Sequence, residues 1–321
     1  MTASPDIGYA GAHSPRLKAA RRLTKRAFRQ RERAFLAEGP QAVAEAFSSG
    51  AHISDLFVTV PARSRHSDLV AAIAGAGIGV HTVSGEVMDE LAQTVTPQGL
   101  LAVCGFVDVP LTELDPKTPK SPKTAESPKT AESPKSAKSP EILQGRATAL
   151  AAPAAPVLSL VAILANVRDP GNAGTVLRTA DAAGAQAVVF ADASVDPYNG
   201  KCVRASAGSL FHLPVVAGAR LTDAVAAMRD AGLRIVAADG RAGRSLDEPD
   251  VQARLAEPTA WMFGNEAWGL PPELVALADE PIAVPIYGRA ESLNLAAAAA
   301  VCLYASARAQ RVHLVTGQAG T

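Results

Sequence analysis

The sequence is poor in the residues that mark several protein classes. It has only three cysteines, Cys104, Cys202 and Cys302, which lie far apart along 321 residues. That spacing excludes a disulfide-stapled scaffold and matches no zinc motif, so we expect reduced structural thiols and no metal. Basic and acidic residues number 31 each. A nucleic-acid site would therefore depend on where the positive charges lie and not on an overall positive charge.

Long apolar runs are also missing. The most apolar helical stretch, Leu293 to Ala307, is alanine-rich and shorter than the ~20 residues of a membrane span. The first residues do not have the pattern of a signal peptide. We therefore expect a cytoplasmic protein with no membrane partner. With 48% hydrophobic and 19% charged residues, the composition is that of a soluble enzyme, and the length predicts two domains.

The middle of the chain is a predicted linker. S-P-K-T-A-E repeats at Ser121 and Ser127, and proline every six residues without large apolar side chains favours an extended tether. The predicted parts are a disordered start at 1–13, a basic helix with a small α/β domain at 14–110, a disordered linker at 111–156, a larger α/β domain at 157–313, and a tail at 314–321.

The larger predicted domain alternates strand-like runs with helix-like runs. Alternation of this kind predicts a parallel sheet covered by helices on both faces. The strands are predicted at Val157–Leu164, Ala187–Phe190, Leu213–Val216, Arg234–Ala238, Ala260–Phe263 and Ile282–Ile286.

Residues 14–33 are strongly basic, with nine lysines and arginines and one acidic residue. Apolar residues from Leu17 to Phe35 recur at helical spacing, which predicts one helix with basic outer faces. The basic residues are either a solvated helix face or a surface that follows RNA phosphates. The candidate phosphate contacts are Arg21, Arg22, Lys25 and Arg26.

The segment G-A-G-I-G-V at Gly75 to Val80 has three alternate glycines. A Rossmann-type methyltransferase carries such glycines after its first strand. Here they follow a helix-like run and precede a predicted strand, Gly79–Val83. A turn that ends a helix is the better interpretation.

Two loops near the end of the chain carry glycine and polar side chains directly after strands. F-G-N-E-A-W-G-L-P-P-E-L begins at Phe263, and I-A-V-P-I-Y-G-R-A-E-S-L-N begins at Ile282. Loops at the carboxyl ends of strands are where open α/β sheets bind ligands. Pro271 and Pro272 suit the first turn of a helix, and Ser292 is predicted to cap the next one.

Together with N-V-R-D-P-G-N-A-G-T-V-L-R at Asn166 to Arg178, these loops resemble the three signature motifs of the SpoU/TrmH branch of the SPOUT RNA methyltransferases, in family order. The resemblance covers roughly residues 157 to 313. It implies a parallel-sheet domain with a trefoil knot, a homodimer, and S-adenosyl-L-methionine as cofactor. T-P-Q-G-L-L-A-V at Thr96 to Val103 resembles, more weakly, part of the RNA substrate-binding domain that precedes many SpoU domains.

The resemblance also implies site residues. It assigns catalysis to Asn172, Arg178, Glu266, Ser292 and Asn294. Asn172 would hold the ribose or a phosphate. The catalytic arginine would act either as a base or as a phosphate clamp, and a guanidinium with a pKa above ~12 suits the second role better. The cofactor-binding positions implied are Gly264, Val284, Ile286 and Leu293.

Two further features have two interpretations each. Tyr198, Lys201 and Arg204 combine an aromatic ring with positive charges, which suits contact with the RNA backbone. The same segment also reads as an ordinary exposed helix start. Trp268 either packs locally or stacks on a base.

The predicted function is that of an S-adenosylmethionine-dependent RNA ribose 2′-O-methyltransferase. Ribosomal RNA of the 23S type is favoured as substrate over transfer RNA, because transfer-RNA enzymes of the family often lack an N-terminal domain. The alternatives are a transfer-RNA methyltransferase and a catalytically inactive RNA-binding or ribosome-assembly factor.

Overall fold

The computed structural model describes residues 14–92, 94–114 and 158–318, with side chains as far as residue 312. The predicted N-terminal segment 1–13 lies outside the described residues, and so does nearly all of the predicted linker. The exception is residues 111–114, which form the 3-10 helix Leu111–Leu114. Leu114 is buried against the larger domain, and the Val109 N–H donates to the Val215 carbonyl. The chain is therefore folded to residue 114, beyond the predicted start of the linker.

The N-terminal domain is a four-stranded mixed sheet in the order β1-β4-β2-β3. Strand β4 runs antiparallel to β1 and β2, and β2 runs parallel to β3. The strands are β1 Ala34–Glu38, β2 Ile53–Thr59, β3 Gly79–Val83 and β4 Leu100–Gly105. The helices are α1 Pro15–Arg22, α2 Arg26–Glu32, α3 Pro40–Ser48, α4 Val60–Arg65, α5 Ser67–Gly75 and α6 Gly85–Leu91.

The prediction of one basic helix over residues 14–33 was wrong. Two short helices form instead, and the last apolar residue of the pattern, Phe35, belongs to β1. Arg29 folds back and donates from Nη1 to the carbonyls of Leu23 and Thr24, at 3.0 and 2.9 Å. Those two carbonyls lie in the turn between the helices, so the bonds stabilise the break. Arg33 then ends α2 with a left-handed φ of 49°.

The alternate glycines form a helix-ending turn, as the order of elements predicted. Helix α5 ends at Gly75, Gly77 has a φ of +80°, and β3 begins at Gly79. This order is the reverse of a Rossmann cofactor loop, so these glycines carry no cofactor site of that kind.

The C-terminal domain is a six-stranded sheet in the order β10-β8-β9-β5-β6-β7, and every pairing in it is parallel. The strands are β5 Leu160–Ala165, β6 Ala187–Ala191, β7 Val215–Ala219, β8 Arg234–Ala238, β9 Thr259–Phe263 and β10 Glu280–Ile282. The helices are α7 Pro170–Ala183, α8 Gly200–Ser206, α9 Leu221–Asp230, α10 Pro249–Arg254, α11 Pro272–Val275 and α12 Leu295–Gln318, with a 3-10 helix at Ser209–Phe211. Every residue of β5, β6 and β9 is buried, which is typical of a parallel sheet covered on both faces and confirms the predicted class.

Two predicted boundaries near the site were wrong. Strand β10 ends at Ile282 and does not reach Ile286. Its partner β8 ends at Ala238, and Pro285 has no N–H for a sheet ladder. Helix α12 begins at Leu295, and Asn294 rather than Ser292 caps it, because its Oδ1 accepts the Ala296 N–H at 2.9 Å.

The two domains are joined by a buried ion pair. Arg29 of α2 donates from Nε and Nη2 to Asp196 Oδ2, at 3.0 and 2.7 Å, and both side chains are about 4% exposed. The other carboxylate oxygen of Asp196 accepts the backbone N–H of Tyr198. Because the guanidinium and the carboxylate are buried together and satisfied, the pair fixes one docking geometry for the two domains.

Tyr198 also belongs to the domain interface, so its prediction as an RNA contact was wrong. The side chain is 1% exposed, and its ring stacks on Phe106. Its hydroxyl accepts the N–H groups of Val107 and Asp108 and donates to Asp108 Oδ1 at 2.7 Å. Burial raises the pKa of Tyr198 well above its ordinary value. The aromatic ring is used for packing and is closed to RNA.

Candidate active site

The loops that follow β5 and β9 are tied together by Glu266. Its carboxylate accepts the backbone N–H groups of Arg168 and Asp169 at 3.1 and 3.0 Å, and the side-chain amide of Asn172 at 3.3 Å. The neighbouring Asn265 donates from Nδ2 to the Asn166 carbonyl at 2.9 Å. The second predicted motif thus holds the first in place, at the carboxyl ends of adjacent parallel strands.

The first turn of α7 presents Asn172. Asp169 is the N-cap residue, and its Oδ1 accepts the Asn172 backbone N–H at 2.8 Å. Its Oδ2 accepts from Lys201 Nζ at 2.7 Å, and this bond holds the pKa of Asp169 below its ordinary value. A Cβ at Gly171 would lie 2.8 Å from Asp169 Oδ1 and 2.9 Å from Lys201 Cε. A side chain at position 171 would therefore displace the Lys201 side chain or the Asp169 carboxylate.

The third predicted motif reaches the same group. Asn294 donates from Nδ2 to Asn172 Oδ1 at 3.0 Å. Asn172 therefore bonds to Glu266 through its amide nitrogen and to Asn294 through its oxygen. Three of the five predicted catalytic residues form one hydrogen-bonded group, which we call the asparagine cluster: Asn172, Glu266 and Asn294.

A cleft of about 340 Å³ opens beside this cluster. It lies between the loops that follow β8, β9 and β10. All four predicted cofactor positions line it, together with two of the predicted catalytic residues: Gly264, Val284, Ile286, Leu293, Glu266 and Ser292. Val284 and Ile286 lie in the loop beyond β10, where their main chain is free of the sheet ladder.

Gly264 is needed for the shape of this cleft. A Cβ there would lie 2.4 Å from the carbonyl carbon of Gly269 and 2.6 Å from the Leu270 nitrogen. The loop crosses directly over the glycine, because Asn265 and Gly269 exchange two backbone hydrogen bonds of 3.0 and 2.8 Å. The close approach at Gly264 is thus made by the loop's own backbone. A larger residue would push the cleft wall outwards.

The mouth of the cleft carries exposed apolar groups. Trp268 is 56% exposed and Leu293 is 40% exposed, and both line the cleft. Trp268 is therefore free to cover a bound ligand or to stack on a base.

One wall of the cleft belongs to none of the three motifs and was not predicted. Asp239, Gly240 and Arg241 follow β8 directly and line it. Arg241 bonds to Asp239 and donates to the Leu270 carbonyl at 2.7 Å, which fixes the loop after β9. The signal was a D-G-R triplet directly after a correctly predicted strand.

Arg178 lies apart from the asparagine cluster within one chain. It is exposed on α7, and no hydrogen bond or ion pair joins it to another residue in the described ranges. Six residues of α-helix place it roughly 120° around the helix from Asn172. Its guanidinium is therefore available for a partner outside this chain.

The predicted RNA contacts have different surroundings. Arg204 pairs with Glu38 of β1 at 2.8 Å, across the domain boundary, while Lys201 is exposed but pairs with Asp169. Arg21 pairs with Glu90, and Arg22 lies over the Phe28 ring at 4.1 Å. Lys25 and Arg26 are exposed on the turn and the start of α2.

The three cysteines are buried and unpaired. Burial raises the pKa of Cys104 and of Cys302 to about 12, so they are inert thiols. Across the described ranges, no group of three or more histidine, cysteine, aspartate or glutamate side chains is arranged to hold a metal ion. No helix in the same ranges has the length and hydropathy to cross a membrane.

Comparison with known proteins confirms the resemblance carried by the motifs. The SpoU rRNA Methylase family matches residues 159–304, and the MRM3-like substrate binding domain matches residues 14–102. The 23S rRNA (guanosine(2553)-2'-O)-methyltransferase RlmP of Bacillus subtilis (strain 168) is 31% identical over 295 residues, covering 91% of this chain and 96% of the relative.

Two further matches agree with this assignment. The 23S rRNA (uridine(2479)-2'-O)-methyltransferase of Streptomyces viridochromogenes is 39% identical over 44% of this chain and 50% of its own. The crystal structure of an AdoMet-bound rRNA methyltransferase from Sinorhizobium meliloti superposes with a TM-score of 0.69 at 27% identity, covering 94% of this chain and 97% of that one. Because both domains are matched and the Bacillus subtilis relative aligns along nearly its full length, the chain belongs to the SpoU rRNA methylase family.

Proposed function

We propose that this protein transfers a methyl group from S-adenosyl-L-methionine to a ribose 2′-hydroxyl of ribosomal RNA. The observation that carries the proposal is the asparagine cluster, which joins three motif loops at the edge of the 340 Å³ cleft. Two relatives, which align with 91% and 44% of this chain, are named as 2'-O-methyltransferases of 23S rRNA. A structural neighbour is an AdoMet-bound rRNA methyltransferase.

The cleft fits the cofactor in size and chemistry. Its volume of about 340 Å³ is within the range of small-molecule sites, roughly 300–1,000 Å³. Apolar side chains such as Val284 and Ile286 line one side, and the Gly264 backbone borders the other. The main chain of these loops and Leu293 would hold the cofactor, which supplies an activated methyl group when bound.

The chain's own residues then position the acceptor. Asn172 is held at its amide nitrogen by Glu266 and at its oxygen by Asn294, so its side chain is preorganised for a ribose or phosphate. Ser292 lies in the wall of the cleft. Glu266 orients Asn172 and the first loop, because all three of its hydrogen bonds go to that loop.

Arg178 suits the role of a phosphate clamp. A guanidinium is planar, remains charged at all working pH values, and matches the geometry of a phosphate. Its exposure and its lack of bonds to the described residues leave all its donors for RNA. By neutralising the charge of a phosphate next to the attacking hydroxyl, Arg178 would stabilise the oxyanion that forms on that hydroxyl.

A homodimer is part of the proposal. Helix α12 buries Ala299, Cys302, Leu303 and Ser306 against its own domain, and Ser306 accepts the buried Trp261 indole N–H at 2.9 Å. The opposite face exposes Val301 and Tyr304 at helical spacing, at 42% and 49%. A second copy would cover this apolar face. The trefoil knot and the cytoplasmic location stay predictions from the sequence.

The test is methyl transfer from tritiated S-adenosylmethionine by the full chain. Unmodified 23S rRNA transcript and a transfer-RNA pool would be the two acceptors, and the product ribose would be mapped by resistance to alkaline cleavage. We expect one 2′-O-methylated nucleotide in the ribosomal transcript and none in transfer RNA. Methylation of transfer RNA alone would reassign the substrate. Binding without methylation of either RNA would indicate an inactive assembly factor.

A further inference from the structure

The N-terminal domain contains a second cleft that the catalytic motifs do not explain. Its volume is about 330 Å³, close to that of the catalytic cleft. It lies where the parallel strands β2 and β3 end, and the segment before β4 forms its third side. The lining residues are Thr59, Val60, Pro61, Arg65, Val83, Ser84, Gly85, Met88, Asp89, Pro97, Gln98 and Gly99. In open α/β sheets, the carboxyl ends of parallel strands are where ligands bind.

The cleft is preformed. The Thr59 N–H donates to the Gly99 carbonyl at 2.9 Å, which pins the segment before β4 to the end of β2. A Cβ at Gly99 would lie 2.4 Å from Thr59 Oγ1 and 2.8 Å from the Ala62 Cβ. The packing at this corner is tight, whereas a Cβ at Gly85 would meet no atom within 4 Å. Gly85 therefore borders open space at the cleft.

The lining combines apolar walls with a few polar groups. Val60, Pro61 and Pro97 give apolar surface, whereas Val83 and Met88 are only 1% exposed. The hydroxyl of Ser84 accepts the Val87 N–H at 3.3 Å and keeps its own hydrogen for a ligand. Gln98 is exposed and has no hydrogen bond to another residue of the described ranges, and its Oε1 lies near Gly39.

We propose that this cleft takes one unstacked nucleotide of the substrate RNA, distant from the ribose that is methylated. The proposal rests on the proposed function. Apolar walls suit the two faces of a base, and Gln98 and Ser84 suit its hydrogen-bonding edge. Arg65 lies at the rim, and its one bond to a described residue is a long contact of 3.4 Å with its own helix, so it is free to meet a phosphate. The domain matches a substrate-binding model over residues 14–102.

Side-chain contacts connect this region to the catalytic loop. Thr94, in the segment before the cleft's third side, donates to Glu38 at 2.5 Å, and Glu38 accepts from Arg204 of α8 at 2.8 Å. One turn earlier on α8, Lys201 bonds to Asp169, the cap of the Asn172 turn. A nucleotide held in the cleft would thus be fixed relative to the asparagine cluster.

The test fills the cleft by replacing Gly85→Phe. Gly85 has no left-handed φ and no neighbour within 4 Å of an added Cβ, so the substitution is compatible with the fold. Gly75→Phe is the matched control, since Gly75 is equally open and lies outside the cleft. Both full-length variants would be assayed for KM and kcat with a 23S rRNA transcript, for S-adenosylmethionine affinity, and by chemical probing of the bases in the bound transcript.

For Gly85→Phe we expect the KM for the transcript to rise about tenfold, in line with the loss of one base contact. Cofactor affinity and kcat should stay at wild-type values. One base outside the methylated position, protected by the wild type, should become reactive again. The smaller change Gln98→Ala should weaken the protection of the same base. It tests the proposal independently if Gly85→Phe does not fold.

The proposal is overturned if Gly85→Phe and Gln98→Ala both match Gly75→Phe in KM and in the pattern of protected bases. This outcome is separate from failure of the proposed function. If the wild type methylates no RNA, the proposed function fails, and the protection pattern of the bound transcript still decides whether the cleft holds a base.

Discussion

Two groups of basic side chains, both predicted to contact RNA, have different surroundings in the folded chain. At the junction of α1 and α2, Lys25 in the turn and Arg26 at the start of α2 are exposed. Around α8, Lys201 and Arg204 are paired with Asp169 and Glu38. Lysine and arginine thus form an exposed basic surface in one region and ion pairs within the chain in the other. Whether a cation has a carboxylate partner within the chain separates the two cases.

This difference extends to the remaining arginines of the site and the interface. Arg178 is exposed and has no partner in the described ranges, whereas Arg29 is buried on Asp196. If the distinction holds, unpartnered cations should control RNA binding and catalysis. Partnered ones should control stability or the position of catalytic groups.

The largest effect is expected on stability, from Arg29→Met. Removing the guanidinium leaves the Asp196 carboxylate buried without its partner, which costs about 3–5 kcal/mol of the free energy of unfolding. Urea denaturation followed by circular dichroism would measure the loss. The double variant with Asp196→Asn should recover part of it, since the uncompensated charge is then gone. A loss below about 1 kcal/mol, the value of a surface ion pair, would contradict the assignment.

Arg178→Ala should abolish methyl transfer with no loss of stability. Loss of one preorganised electrostatic group lowers the rate by at least on the order of a hundredfold. Arg178→Lys should also be poorly active, because a point charge does not reproduce the planar fork. Calorimetry with S-adenosylmethionine, sedimentation and the tritium assay would use the same preparations. Activity within a few-fold of wild type would remove this arginine from the mechanism, and lost cofactor binding would show that the first motif shapes the pocket.

Lys201→Met should lower kcat about tenfold, because the cap at Asp169 loses its partner and Asn172 loses its fixed position. The salt dependence of RNA binding should not change, which separates a positioning role from an RNA contact. Lys201→Arg keeps a donor for Asp169 and should restore most of the rate. If the methionine variant instead shows a shallower salt dependence with an unchanged kcat, Lys201 binds RNA directly.

Lys25→Gln with Arg26→Gln should weaken RNA binding and make its salt dependence shallower, by roughly one to two in the slope of log K against log salt. Cofactor affinity should be unaffected. Arg21→Gln with Arg22→Gln is the matched control, since those side chains contact Glu90 and Phe28, and it should change the slope less. Equal slopes for wild type and both doubles would make the whole group a solvated face.

The smallest effect concerns His212, which joins the domains by bonds to Asp181 and Glu45. The bond to Asp181, followed by that to Glu45, raises its pKa above the ordinary value. The protonated His212 therefore contributes its whole stabilisation at pH values below about 6.5, the pKa of histidine in the unfolded chain. That stabilisation is lost as the pH rises through the higher pKa of His212 in the folded chain. Because the side chain is 38% exposed, the contribution is below about 1 kcal/mol. His212→Gln should therefore be less stable than wild type near pH 6 and equal to it at alkaline pH. A difference that grows with pH would contradict this account.

The motif loops show how much of the site could be predicted. The three ordered motifs predicted Asn172, Glu266 and Asn294 as site residues, and in the structure Asn172 is hydrogen-bonded to both of the others. The wall formed by Asp239 to Arg241 was missed, because it belongs to no motif and comes near the cleft only through the strand order.

The sequence by itself determined the class of the fold, the strands of the parallel sheet to within a few residues, and the family. Periodicity and ordered motifs are local properties that survive without knowledge of contacts. Only the tertiary structure decided what the basic residues and Tyr198 do. The partner of Arg29 is 167 residues away at Asp196, and that of Arg204 is 166 residues away at Glu38. No local pattern encodes such pairs, since burial and charge pairing depend on which distant elements pack together.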